Sequence, residues 1–114
     1  MVELTLQIPN SLAQQIQPIS NWLPTIIELS VARFKSSNVK KESDDLIAFL
    51  SSNPTSKKIL KYKISDKSQS RVSDLLQNSR EDKIKSSEIN ELDEWEKFNH
   101  ICIMLSAQAT KLLK

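Results

Sequence analysis

Residues 3–9 read Glu-Leu-Thr-Leu-Gln-Ile-Pro, and this stretch decides the fold that the sequence predicts. Leu4, Leu6 and Ile8 alternate with polar residues, and this period of two predicts a strand with one dry face and one wet face. Pro9 ends the strand because proline has no N–H to donate to a neighbouring strand. A strand this short is not stable without a partner. No other segment has a convincing strand pattern, so we expect the partner strand to come from a second copy of the chain or from another protein.

Two helices are predicted to follow this strand. The side-chain oxygen of Asn10 can cap a first helix over residues 11–19. Pro24 suits the first turn of a second helix over residues 24–35, because a proline there loses no helical hydrogen bond. The apolar residues of both segments recur at helical spacing, so each helix has one face suited to a core.

Composition limits the classes of protein to which the chain can belong. It has 114 residues, 39% of them hydrophobic, and a net charge of +2, which does not by itself indicate nucleic acid or membrane. The absence of glycine excludes a Gly-rich phosphate-binding loop. A single cysteine fits a reducing compartment, and no apolar run has membrane-spanning length. We therefore expect a cytoplasmic protein that does not contact a membrane.

The rest of the chain predicts helices separated by polar connectors. Residues 36–45 are polar and without periodicity, which is typical of a linker. The strongest helical pattern covers residues 87–113, and together with a helix over residues 66–78 it predicts a helical hairpin. Its apolar residues follow each other at steps of three and four, namely Trp95, Phe98, Cys102, Leu105, Ala109 and Leu112.

The predicted fold is therefore mostly α, with one N-terminal strand that pairs across a dimer and a C-terminal helical hairpin. We divide the chain into a dimerisation segment (1–36), a linker with short helices (37–65) and a hairpin that binds a partner (66–114).

Catalytic and metal-binding constellations are not found in the sequence. His100 and Cys102 are the only residues of their types. On one helix they lie about 200° apart around the axis, so they do not face each other. One histidine and one cysteine also do not make a structural zinc site within one chain. We therefore predict no catalytic residues, no metal, no cofactor and no enzymatic activity.

The order strand–helix–turn–helix in residues 3–35 resembles the ribbon–helix–helix family. In that family two chains pair their strands into an antiparallel ribbon, and the four helices form the dimer core. The resemblance implies a homodimer with Leu4, Leu6 and Ile8 in its core.

The same resemblance implies contacts with operator DNA. The outward side chains of the ribbon enter the major groove in that family, which here would be Glu3, Thr5 and Gln7. In that family the N-terminus of the second helix also holds a phosphate of the DNA. The candidate phosphate contacts are Thr25, Arg33 and Lys35. A separate basic cluster consists of Lys57, Lys58, Lys61, Lys63, Lys67 and Arg71.

A second resemblance covers more of the chain. The run Leu-Thr-Leu-Gln-Ile-Pro-Asn-Ser-Leu-Ala (4–13), the turn Asn-Trp-Leu-Pro (21–24) and the segments Leu-Leu-Gln-Asn (75–78) and Glu-Leu-Asp-Glu (91–94) look like small cyanobacterial proteins. These are regarded as candidate antitoxins encoded beside small nucleases such as PIN-domain ribonucleases. The resemblance implies an antitoxin that neutralises a nuclease toxin and represses its own operon.

Two interpretations of three C-terminal apolar residues remain open. Trp95, Phe98 and Leu105 could enter a groove of the toxin, because aromatic residues dominate interface hot spots. The alternative is that they form the core of the hairpin. The function also has an alternative, a helical adaptor or accessory subunit without DNA binding. The adaptor is favoured by the lack of a basic residue among the outward positions of the strand.

Overall fold

A computed structural model describes residues 2–113, and about 73% of the chain is helical. Among these residues the structure contains six α-helices, one short 3-10 turn and no strand. In chain order the elements are α1 (Asn10–Ile16), the 3-10 turn (Gln17–Ile19), α2 (Leu23–Ala32), α3 (Ser37–Ser51), α4 (Ser56–Leu60), α5 (Asp66–Arg80) and α6 (Ser86–Leu112). The prediction of a mostly α protein is confirmed.

The N-terminal strand is not formed, so the prediction of a ribbon–helix–helix-like fold is wrong. Residues 2–9 have no helical structure, and the described part of the chain has no strand that could pair with them. A strand requires hydrogen bonds to a neighbouring strand. Alternation of side chains predicts which residues share a face, but it does not supply these hydrogen bonds.

Helix α6 organises the core, because α2, α3, α4 and α5 all pack against it. The helix predicted over residues 87–113 is formed, and most of its predicted apolar face is buried. Trp95, Phe98, Leu105 and Ala109 are buried and Cys102 is half-buried, whereas Leu112 is 44% exposed. The spacing omits Ile101, which is only 1% exposed, because the helical face is wider than a strict heptad seam.

The polar residues 36–45 do not form a linker, contrary to the prediction. They belong to the end of a short connector and the first half of α3, a 15-residue helix that packs on α2 and α6. Val39 is fully buried there, and so are the polar residues Glu42 and Ser43. Hydrogen bonds from distant residues make the burial of Glu42 possible, and these bonds leave no periodic signal in the local sequence.

The molecule is elongated, with dimensions of 52 × 30 × 26 Å along its principal axes. Its radius of gyration is 16.2 Å, whereas a compact chain of this length has about 13 Å. No residue of α1 is buried, and this helix packs mainly on the adjoining 3-10 turn. Across residues 2–113, no helix is both long enough and apolar enough to cross a membrane.

Candidate protein-binding surfaces

The N-terminal arm (residues 2–9) exposes the apolar side chains that the sequence assigns to a dimer core. Leu4 is 81% exposed, Leu6 65% and Ile8 36%. The predicted DNA-facing residues Glu3, Thr5 and Gln7 are also exposed. The hydrogen bonds described outside the helices include none from the backbone of residues 2–8. The arm is therefore free on both faces and along its backbone.

Helix α2 adds a second exposed apolar face. Leu29 points into the core, whereas Ile27 is 50% exposed and Val31 67% exposed. Half of the large apolar residues that are exposed in the described chain lie within the first 31 positions. We call these residues the N-terminal apolar surface: Val2, Leu4, Leu6, Ile8, Leu12, Ile27 and Val31.

The candidate phosphate contacts do not lie at one place. Thr25 is half-buried in the first turn of α2, while Arg33 and Lys35 are exposed beyond its other end. At 1.5 Å per residue the two ends are roughly 12 Å apart. Arg33 itself ends the helix in the left-handed conformation, with φ of 53°. The structure therefore separates these three residues into two groups.

Glu94 lies in the first half of α6, and it has a role that the sequence does not reveal. Its carboxylate accepts hydrogen bonds from the backbone N–H groups of Lys35 (2.7 Å) and Ser36 (2.8 Å). These groups precede α3, and Ser36 does not use its own side chain to cap that helix. Glu94 therefore fixes the entry of the chain into α3 from a distant helix.

Trp95, Phe98 and Leu105 lie in the core, with 4%, 1% and 2% of their surfaces exposed. The rings of Trp95 and Phe98 meet edge to face, with centroids 5.9 Å apart, and Phe34 packs on the other side of Phe98 at 6.2 Å. None of the three side chains protrudes. Their burial agrees with the alternative interpretation, in which these residues form the core of the hairpin.

A groove runs along the outside of α5 and α6, and Trp95 and Phe98 contribute to its floor. It has a volume of about 550 Å³ and is partly open to solvent. We call it the α5–α6 groove. Its apolar residues include Val72, Leu76, Leu92, Trp95, Phe98 and Cys102.

A buried carboxylate connects α3 to the start of α5. Glu42 is 4% exposed, and it accepts hydrogen bonds from the hydroxyl groups of Ser65, Ser68 (2.7 Å) and Tyr62 (3.4 Å) and from the Ser65 N–H (3.1 Å). Burial acts to raise the pKa of Glu42, but the hydrogen bonds from Ser65 and Ser68 outweigh it, so the pKa lies below its usual value. The ionised carboxylate is therefore the form that this network holds.

A second buried carboxylate joins α5 to α6. Arg71 donates two hydrogen bonds to Glu91, at 2.8 and 3.0 Å, and the Trp95 indole N–H donates a third at 3.1 Å. The Arg71 guanidinium, above all, holds the pKa of Glu91 below its usual value. The only arginine of the basic cluster is therefore committed to an internal ion pair.

The chemistry of Cys102 is that of a protonated thiol. Burial raises its pKa to about 11, and the negative charge of Glu42 adds to this effect. A thiol with so high a pKa is a weak nucleophile at neutral pH. Cys102 therefore contributes apolar surface to the α5–α6 groove.

Comparisons of the chain with protein-family models, with curated proteins and with solved structures each find no match. The surfaces described above are therefore the basis for a functional proposal.

Proposed function

We propose that the chain is an antitoxin-like binding protein, which works as a homodimer and neutralises a small nuclease such as a PIN-domain ribonuclease. The observation that carries the proposal is the N-terminal apolar surface, which the chain leaves uncovered. Exposed apolar residues concentrated in one part of a chain favour an interaction site there. The helical body, by contrast, has a well-filled core around α6, so it can act as a stable carrier for such a site.

A second copy of the chain is the occupant that we propose for the N-terminal apolar surface. The surface combines a free arm with the outer face of a helix, and in a two-fold arrangement each arm can cover the helix of the other copy. Such an interface uses the same patch twice, as most homodimers do. The proposed dimer does not require a ribbon of paired strands.

Replacing Leu6 with lysine tests the dimer. We expect the wild-type chain to sediment with the mass of two chains, and Leu6→Lys with the mass of one, because a charge without a partner is costly in an apolar interface. Leu60→Lys is the matched control, since Leu60 is 42% exposed on α4 and lies outside the N-terminal apolar surface. An unchanged dimer in Leu6→Lys, or a monomeric wild-type chain, would show that the surface does not join two copies.

Inhibition of a nuclease tests the central part of the proposal. The genes that flank this one are sequenced first, and the absence of a nuclease gene would count against the antitoxin function. A small nuclease encoded there is then purified and mixed with the chain, and cleavage of an RNA substrate is measured. We expect cleavage to fall at least tenfold once the chain is in molar excess, because a neutralising partner must block the active site or close its entrance. Full cleavage at tenfold excess of the chain would refute the antitoxin function.

The alternative function is a helical adaptor without a DNA role, and the charge of the arm favours it. Glu3 is the only charged residue between positions 2 and 12, and a carboxylate repels phosphate. The inhibition experiment separates the two functions, since an adaptor is expected to bind its partner without lowering that partner's activity.

A further inference from the structure

We infer that the α5–α6 groove receives one amphipathic helix of a partner protein. This inference rests on the proposed function, because it names the surface by which the helical body would hold the nuclease. It reverses the expectation from the sequence, in which Trp95 and Phe98 enter a groove of the partner. Here they contribute to the floor of a groove that the partner fills.

The groove is lined from two neighbouring helices. Val72 and Leu76, which are four residues apart, line it from α5. Leu92, Glu96 and Asn99, which follow each other at steps of four and three, line it from α6. Rows with this spacing are the ridges between which a third helix packs. A helix laid there would complete a three-helix arrangement over the exposed edge of the core.

The lining of the groove selects for apolar side chains. The Trp95 indole N–H donates to one buried carboxylate, and the Tyr62 hydroxyl donates to the other. The side-chain amide N–H of Gln69 donates to the backbone carbonyl of Ile64 at 2.8 Å. These three donors are already used within the chain. The floor of the groove is therefore suited to hydrocarbon groups rather than to groups that require hydrogen bonds.

The partial opening of the groove favours a protein over a free small molecule. Sites for small molecules enclose most of the ligand, roughly 70–90% of its surface. This groove is only partly enclosed, so a small apolar ligand would remain partly in water. A helix of a folded partner avoids this cost, because the rest of the partner covers the opening.

Two exposed charges that line the groove would set the preferred orientation of that helix. Lys63 belongs to the connector before α5, and Glu96 belongs to α6. The complementary helix has an apolar stripe with an acidic flank facing Lys63 and a basic flank facing Glu96. Such a polar rim around an apolar centre is the usual anatomy of a protein interface.

A designed peptide tests the inference without the nuclease. The probe is a fluorescein-labelled amphipathic helix of about 18 residues, with leucine anchors, a glutamate flank and a lysine flank. Binding to the full chain is followed by fluorescence anisotropy. We expect saturable binding, and at least a tenfold loss of affinity when the anchors are replaced by serine.

Two pairs of variants locate the bound peptide. Leu76→Glu places a charge in the groove and is expected to weaken binding at least tenfold. Its control is Leu60→Glu, since the two leucines are 41% and 42% exposed and only Leu76 lines the groove. Lys63→Glu is expected to weaken binding about threefold, and exchanging the two flanks of the peptide is expected to restore it. Lys61→Glu, two residues away and outside the lining, is expected to have no effect.

The possible outcomes each decide the question. Absence of saturable binding, or equal binding by Leu76→Glu and Leu60→Glu, would refute the inference. If the wild-type chain is a dimer and the Leu76→Glu chain is a monomer, the occupant of the groove is a second copy, and the inference is again refuted. The peptide assay does not use the nuclease, so the two proposals can fail independently. Failure to inhibit the nuclease would refute the antitoxin function, whereas only peptide binding tests the role of the groove.

Discussion

Replacing Trp95 with alanine is expected to lower the free energy of unfolding by about 3–5 kcal/mol, the usual cost of removing a large buried aromatic side chain. The indole is 4% exposed, packs edge to face on Phe98 and donates its N–H to Glu91. The substitution therefore leaves a cavity and also removes one donor from a buried carboxylate. Urea unfolding followed by far-ultraviolet circular dichroism measures the change.

Ile103→Ala is the matched control for this prediction. Ile103 lies on the same helix as Trp95 but is 57% exposed. We expect a change within about 0.5 kcal/mol, as for most surface substitutions away from special contacts. If Trp95→Ala were as stable as Ile103→Ala, the ring would contribute nothing to the core, and its interpretation as a partner-binding anchor would become the better one.

Helix α6 shows what the sequence can predict. Its apolar residues recur over nearly the whole length of the helix, so the pattern is redundant and one misplaced residue does not hide it. The pattern cannot distinguish a core from an interface, because both require the same side chains at the same spacing. Trp95 and Phe98 are therefore predicted as important residues, whereas their burial within the chain becomes evident only from the helices that surround them.

Helix α3 shows what the sequence cannot predict. Glu42 and Ser43 are polar residues at buried positions of this helix. The stretch before Leu46 therefore lacks the hydrophobic pattern on which a prediction depends. The groups that satisfy Glu42 come from Tyr62, Ser65 and Ser68, which are 20 to 26 residues away. A pairing over that distance has no local signature.

The N-terminal arm is an intermediate case. Its alternation predicts that Leu4, Leu6 and Ile8 share a face, and the structure leaves all three exposed. That a partner covers them stays a prediction. The alternation does not identify the partner, because side-chain periodicity carries no information about the backbone that would lie beside it. The α5–α6 groove is not predicted either, because its lining comes from α5, α6 and the connector before α5.

Glu42→Gln is expected to lower the free energy of unfolding by about 2 kcal/mol at pH 7, the usual worth of hydrogen bonds to a charged group in a partly enclosed site. Glutamine keeps the shape of glutamate but lacks its charge. Its amide N–H₂ is a donor, and it would face hydroxyl groups that themselves donate to the native carboxylate. Asp45→Asn is the control, because Asp45 is on the same helix but its side chain is 57% exposed. An exposed ion pair such as that between Lys41 and Asp45 contributes little to stability, so we expect Asp45→Asn to lower the free energy of unfolding much less than Glu42→Gln does.

The cost of Glu42→Gln is also expected to depend on pH. The folded-state pKa of Glu42 lies below its usual value of 4.5, so the ionised carboxylate contributes stability that is fully present above the unfolded-state pKa. This contribution is lost as the pH falls through the folded-state pKa. The advantage of the wild-type chain over Glu42→Gln should therefore shrink when urea unfolding is repeated at successively lower pH below 4.5. An advantage that stays the same from pH 7 down to the lowest pH at which the chain still folds would show that the charge of Glu42 does not stabilise the junction between α3 and α5.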